Sequence, residues 1–466
     1  MRLNRDTSWR IPGAQVPAYN RDTLTNGIVH IGVGNFHRAH QAVYTDDVLR
    51  DDSRWGIIGA SLHSSSTRDR LCKQDFLYTV QERDPNRSDS RVIGAITDVL
   101  YLGEQRASLI EALSRPEIKV VTLTVTEKGY CHTSEGELDE QHPDIRHDLE
   151  NPSLCRSMPG VLASGIAARR RAGAGPLSII SCDNLSDNGR VLQKVVHGFT
   201  RQLDRSLADW CSDHLSFPNT MVDRIVPQTT DQDIALFSTA TGVRDDAMLT
   251  TEPFKQWVIE DSFIAERPPW ELAGAQIVTD VAQFESVKLR ILNAAHSTLA
   301  YLGLLLGYEH VHEAMADDSL ALFVEYLLQD EVIPLLGESP NMDLDRYKCD
   351  VLDRFRNSAI PYGTAQVATD GSKKLPQRIV PSLGLAIAQN RRSAGLELVL
   401  AAWLLCMKDA DLVGQFDDPA KEADTEADLL AMAGVDAHMA RMIIPRYRSM
   451  ARNNLRTEIA AVTVGR

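Results

Sequence analysis

Along the first part of the chain, short runs of β-branched and aliphatic residues alternate with helix-length amphipathic segments. Residues 27–31 read as a buried strand that runs into a glycine-rich turn, and a helix follows through Ala42, Val43 and Val48. A second strand is predicted at 55–61. Alternating Phe76, Tyr78 and Val80 predict a third at 75–81, and another is expected at 92–99. A helix over 106–113 precedes a β-branched strand at 118–125. A helix at 161–170 precedes a strand at 176–182, and one long helix is predicted over 189–214. Strands separated by helices imply a parallel, doubly wound α/β sheet.

The pattern changes near residue 284. Apolar periodicity of helix length then dominates, at 286–306, 319–328, 379–388 and 396–408, and strand signals are scarce. The expected organisation is therefore a sheet domain over 1–284 and a mainly α-helical C-terminal domain over 285–466. Residues 415–428, rich in acids, read as a surface stretch.

Composition narrows the field. The chain has 466 residues, enough for two or three domains, and 49 basic against 64 acidic residues give a formal charge of −15. That balance disfavours a general nucleic-acid binder, because phosphate neutralisation needs a basic surface. The N-terminal residues lack the apolar core of a signal peptide, and the apolar stretch 396–407 is interrupted by Glu397 and too short to span a bilayer. Seven scattered cysteines form no C-x-x-C pair. The expectation is a reduced, cytoplasmic protein without membrane or nucleic-acid partners. It is expected to be a monomer or weak oligomer, since no heptad pattern is evident.

The turn after the first strand reads Gly32-x-Gly34-x-x-His37, part of the dinucleotide fingerprint with His in place of the third glycine. Gly34 would let the backbone approach a pyrophosphate, with Phe36, His37 and Arg38 as further cofactor contacts. No acid stands where a ribose-binding Asp or Glu is expected after the second strand. Ser64, Ser65 and Ser66 are there instead, followed by Arg68 and Asp69. These serines equally suit a helix cap, so these residues leave NAD and NADP both open. Thr126-Glu127-Lys128-Gly129-Tyr130 and Ser181-Cys182-Asp183-Asn184 both follow strands at the end where open sheets bind ligands, although turns favour the same residue types. The pairs His37/His40 and His310/His312 lack companions at zinc-site spacing, so no metal is expected.

A third constellation sits at the start of the helical half, where Lys288, Asn293 and His296 interrupt an apolar run. On a regular helix of about 100° per residue, Lys288 and His296 lie about 80° apart and Asn293 about 140° from Lys288, so they can line one wall of a cleft. A lysine beside Leu289, Ile291 and Leu292 is costly to keep charged, which suits a general base, and an Asn amide can steady an oxyanion. The alternative is an amphipathic helix whose Lys and Asn face water. No Tyr-x-x-x-Lys pair occurs in the chain, so Lys288 is the candidate base for hydride-transfer chemistry.

Taken together, residues 31–40, 126–130, 181–184 and 288–296, with 220–225 and 370–378, resemble the mannitol dehydrogenase family of long-chain polyol dehydrogenases. The resemblance implies a zinc-independent, NAD-linked secondary-alcohol dehydrogenase with its active site between a Rossmann domain and a helical domain. By motif, Lys288 corresponds to the catalytic base, Asn184 and Asn293 to the oxyanion-stabilising amides, and His296 and Lys374 to substrate-hydroxyl contacts. Asp223 matches a further acid of the substrate region, and Glu285 an acid on the proton path from Lys288. Glu127 and Lys128 join the cofactor candidates Gly32 and Gly34.

The expected substrates are a linear polyol and its ketose, as in mannitol and fructose. The rival is a sugar acid, as in fructuronate reduction to mannonate, with Lys374 and Arg378 meeting the carboxylate. Two features point toward the rival branch: Gln366 replaces an arginine that mannitol-specific members carry, and Lys374-Leu-Pro-Gln-Arg378 is closer to fructuronate reductases. A non-catalytic, NAD-sensing protein is the reading from another class.

Overall fold

The computed structural model describes residues 1–337, 342–412 and 414–464. It divides into two compact units, Met1–Ala282 and Gln283–Arg466.

The first unit carries the strands β1 (Asn26–Ile31), β2 (Gly56–Ser61), β3 (Tyr78–Arg83), β4 (Ser88–Ile93), β5 (Ile96–Tyr101), β6 (Val120–Leu123), β7 (Leu177–Ser181), β8 (Leu215–Ser216), β9 (Thr220–Asp223), β10 (Leu249–Thr251), β11 (Gln256–Glu260) and β12 (Gln276–Val278). The central sheet runs β5-β2-β1-β6-β7-β8 and is parallel throughout. Its strands are apolar on both faces because helices cover both. Ile28, Ile57, Val120 and Ile180 pack on one side with Ala42, Val43 and Val48. Val29, Ile58, Val121 and Ile179 pack on the other with Leu109, Leu113, Val161 and Ile166. The strand order reverses between β1 and β6. That is the topological switch point, where doubly wound sheets open a ligand crevice at the carboxyl ends of their strands.

Several elements differ from the sequence expectation. The run 75–81 becomes a strand only at Tyr78, because Asp75 and Phe76 adopt left-handed backbone (φ 53° and 58°). That strand belongs to a separate sheet, β10-β3-β4, with β3 and β4 antiparallel. The run 92–99 is two strands in two sheets. They part at Gly94, whose N–H donates to Asp46 Oδ1 (2.8 Å) and where an added Cβ would lie 2.9 Å from Pro17. The long helix over 189–214 is two, Asn188–Leu203 and Arg205–His214. Asp204 is extended between them and accepts from the Ser206 N–H as a cap (2.9 Å).

The second unit is helical, with no strand among the described residues. Its core holds the helices Ala294–Leu306 and Ala394–Lys408, buried nearly all round, with Tyr301 and Trp403 fully enclosed. The continuous helical run Ala282–Leu306 is long and apolar enough to cross a membrane, but 83% of its most apolar window is buried inside the protein, as expected of a core helix. The 286–306 pattern is interrupted by a π-helical turn at Lys288–Asn293, and the 319–328 pattern passes into another at Leu327–Val332. The acidic stretch 415–428 is not all surface. Asp418 is buried, accepting from the Ser372 and Ala420 N–H groups at 2.9 Å each.

Candidate active site

In the first unit, the carboxyl ends of β1, β6 and β7 carry the candidate groups. Gly32 follows β1 at φ +98°, and an added Cβ would sit 2.0 Å from the Thr124 carbonyl oxygen, so no side chain fits there. Gly34 is different: the nearest atom to an added Cβ is 3.9 Å away, so its Cα faces open space. That is the cradle a pyrophosphate needs.

His37, in the place of the third fingerprint glycine, is fully buried and stacks on His30 with ring centroids 3.3 Å apart. His30 is hydrogen-bonded to Thr122 Oγ1 (2.7 Å) and Thr124 Oγ1 (3.0 Å), and burial pulls its imidazole down to about 3. Burial lowers His37 and His40 likewise. His40 Nε2 bonds the Gln256 carbonyl (2.8 Å) while its Nδ1 accepts from Gln41 (2.9 Å). Arg38 is buried over the Tyr78 ring and donates to the Ala247 carbonyl and to Asn35 Oδ1. The side chains of His37 and Arg38, expected as cofactor contacts, are therefore both buried in the interior. Phe36, stacked 4.9 Å from His40, remains partly exposed beside the glycine turn.

After β2, Ser64 Oγ accepts from the Ser66 N–H (3.2 Å), while Ser65, at the N-cap position, donates its hydroxyl to Asp69 (2.7 Å) and caps no backbone N–H. Arg68 is ion-paired to Asp69 (2.8 Å) and Glu104 (2.7 Å).

After β6, Glu127 and Lys128 are exposed on a short 3₁₀ turn, Glu127–Tyr130. Asn184 is exposed beyond β7, while Asp223 is buried at the end of β9 in a third sheet, β12-β11-β9. Sequence reasoning passed over Asp183 as a turn residue. Its carboxylate accepts from the Val125 N–H (3.0 Å), the Thr126 N–H (2.9 Å) and Tyr130 Oη (2.8 Å).

In the second unit, Lys288 and Asn293 bound the π turn and both are buried. Within that turn the Ala294 N–H reaches back five residues to the Leu289 carbonyl, so side chains from 288 to 293 advance less per residue than on an α-helix. The angular spacing expected between Lys288 and Asn293 does not hold across it. Glu285 is partly buried on the preceding helical turn, Ala282–Val287. Asn293 Nδ2 is buried with no hydrogen-bond partner among the described residues. The main-chain oxygen of Asn293 lies 3.5 Å from Arg378 Nη1, which also donates to Ser297 Oγ (3.0 Å).

His296 sits between the Phe355 and Tyr362 rings, at centroid distances of 5.1 and 5.3 Å. One turn before Arg378 on the helix Gly371–Arg378, Lys374 donates to the Val367 carbonyl (3.2 Å). Burial brings Lys374 down to about 8 and lowers Arg378 as well. Asn293, Arg378 and Lys374 thus form one polar group in an apolar unit, with His296 held on Tyr362 close by. Tyr362 and Ser297 carried no signal in the sequence, since a tyrosine in a loop and a serine within an apolar helix read as ordinary packing.

A parallel sheet with a glycine cradle at its switch point, joined to a helical unit bearing a buried lysine and amide, is the layout of an oxidoreductase acting on CH–OH groups. Family models for the mannitol dehydrogenase Rossmann domain and C-terminal domain match residues 26–272 and 280–460, and the chain belongs to that family. It is 41% identical over 408 residues to the oxidoreductase YeiQ of Escherichia coli, covering 86% of this chain and 83% of that protein. It is 39% identical over 421 residues to the mannitol 2-dehydrogenase of Pyricularia oryzae, covering 88% and 84%. Among solved structures it is similar to Pseudomonas fluorescens mannitol 2-dehydrogenase in its ternary complex with NAD and D-mannitol, with a TM-score of 0.88, 37% identity and 99% of each chain covered.

Proposed function

We propose that this oxidoreductase is an NAD-dependent, metal-independent dehydrogenase that interconverts a linear polyol and its ketose, mannitol and fructose being the first pair to test. The observation that carries this reading is the buried Asn293 amide, which has unspent donors at the end of the π turn that Lys288 begins. A buried N–H left unpaired is costly, so a site that keeps one is suited to an oxygen that arrives with the substrate.

The open backbone at Gly34 fits a dinucleotide pyrophosphate, with Gly32 shaping the turn, and Phe36, Glu127 and Lys128 stand where further contacts would form. A bound nicotinamide supplies a hydride acceptor in one direction and a hydride donor in the other. In oxidation, Lys288 as a neutral amine takes the proton of a secondary hydroxyl, and Glu285 relays it outward. Asn293 and Asn184 donate to the oxygen as it gains charge, a contribution of about 3–4 kcal/mol when one such donor acts fully. His296, Lys374 and Asp223 hold the remaining hydroxyls. In reduction, Lys288 as an ammonium returns the proton.

One observation favours a second reading, a sugar acid such as mannonate. Lys374 and Arg378 form no salt bridge among the described residues, and a substrate carboxylate would supply the missing partner. Steady-state rates with mannitol and with mannonate, each with NAD and with NADP, separate the two. We expect a higher kcat/KM on the polyol with NAD. A kcat/KM at least tenfold higher on mannonate would replace the polyol reading. Tight NAD binding without turnover across a polyol and aldonate panel would replace both with a sensing role.

A further inference from the structure

The turn after β6 is held in a conformation that its own sequence resists. Thr126 has φ +66° and ψ 160°, a region comfortable only for glycine and unusual for a β-branched residue. Such a residue stays there only when its surroundings over-determine it. Three donors from this one segment, the consecutive Val125 and Thr126 N–H groups and the Tyr130 hydroxyl, converge on the Asp183 carboxylate at 2.8–3.0 Å. Burial raises the Asp183 carboxyl above its ordinary value, while the same three donors oppose that shift. A neutral amide would not serve equally: its –NH₂ would face one of the N–H donors that the second carboxylate oxygen now accepts.

Asp183 is itself anchored. Its carbonyl oxygen accepts from the Leu185 N–H (2.9 Å) and from Asn188 Nδ2 (3.1 Å), and Asn188 is locked to β9 through Thr220. On the far side, the segment is fastened to the glycine turn, where Thr124 Oγ1 donates to the Gly32 carbonyl (2.7 Å). A continuous path of hydrogen bonds and main chain therefore runs from Gly32 through Thr124 and the strained turn to Asp183, the neighbour of Asn184.

We propose that Asp183 is a positioning residue, whose carboxylate clamps the turn after β6 to the end of β7 and so sets Glu127 and Lys128 on the cofactor side in register with Asn184 on the substrate side. The inference rests on the dehydrogenase reading above for the identities of cofactor and substrate, but the clamp itself is a property of the free protein.

The test uses the full-length chain with Asp183→Asn. In the absence of cofactor, hydrogen–deuterium exchange of the segment 124–130 is expected to quicken at least tenfold, with exchange in β1 and β2 unchanged. NADH affinity by fluorescence titration is expected to fall at least tenfold, and kcat by about 10²-fold. A uniform rise in exchange with NADH affinity and kcat within twofold of wild type would overturn the proposal, because that is how a merely structural residue behaves.

Should Asp183→Asn fail to fold, Tyr130→Phe removes one of the three donors. It is expected to quicken the same segment selectively with little change in melting temperature, and unchanged exchange there would overturn the proposal. Thr126→Gly is expected to leave the melting temperature unchanged or raise it, since glycine adopts this backbone without strain. A clear fall would contradict the strain on which the clamp is argued. If wild-type protein turns over no polyol or aldonate while the exchange pattern holds, the clamp stands and the dehydrogenase reading falls.

Discussion

Lys288, the proposed base, is 7% exposed at the start of the π turn. Lys288→Ala should lower kcat by about 10²–10⁴-fold while NADH titration stays near wild type. Turnover within tenfold of wild type would remove Lys288 as the base. Gly34 gives a complementary test, because its Cα faces open space and the fold has room for a side chain. Gly34→Val should leave the melting temperature nearly unchanged and abolish NADH binding. Binding that survived would take this turn out of the cofactor site. Lys374 titrates at about 8, lowered by burial, so it is an ammonium below that pH and a neutral amine above it. If it contacts substrate as a cation, KM should rise as pH passes upward through about 8, and Lys374→Arg should flatten the trend from about pH 6 to about 10. A wild-type KM flat over that range would argue against a charged contact. Lys288, Asn184 and Asn293 were legible as candidates, a basic residue and an amide within an apolar helix and another amide at a strand end. Asp183 was not: aspartate in a Ser-Cys-Asp-Asn turn is ordinary, and only the three donors converging from another segment give it meaning.

The π turn at Lys288–Asn293 shows what periodicity misses at the level of an element. A π turn and an α-helix present the same apolar composition, so the sequence pattern announces the helix and not the extra residue within it. The extra residue matters because it resets the angle between Lys288 and everything from Asn293 onward. Deleting Leu289 should let the run revert to an α-helix and misdirect Lys288 relative to Asn293 and His296. The expected result is a loss of kcat/KM greater than about 10²-fold with the far-UV circular dichroism and NADH titration unchanged. A variant that kept full activity would mean the π turn is not part of the site. A second π turn at Leu327–Val332 carries Glu331, which accepts from the Gly395 (2.8 Å) and Leu396 (3.0 Å) N–H groups at the start of the helix Ala394–Lys408. Strand errors have a related origin. The 92–99 run reads as one strand despite Gly94 and Asp98, and it parts at Gly94, where Asp46, Pro17 and Tyr19 close in from elsewhere in the chain.

For the molecule as a whole, the doubly wound sheet was readable because its buried strands are near-continuous apolar runs separated by helices. The short strands β8–β12 escaped, being two to five residues long and paired across long stretches of chain. The same global view bears on metal chemistry. Among the described residues no group of three or more His, Cys, Asp or Glu side chains is arranged to hold a metal ion. Of the candidates from sequence, His40 has both ring nitrogens hydrogen-bonded, to Gln41 and Gln256, and His37 is fully buried against the His30 ring. A lysine that carries the proton and amides that hold the oxygen need no Lewis acid, since they divide between them the two tasks a catalytic zinc performs, activating the hydroxyl and stabilising the alkoxide. Prolonged dialysis against EDTA should therefore leave kcat and KM unchanged in both directions, with no recovery or gain on adding Zn²⁺. Loss of activity on chelation, restored by Zn²⁺ and accompanied by a fall in melting temperature without the ion, would overturn the lysine-base mechanism and require ligands that the described residues do not bring together.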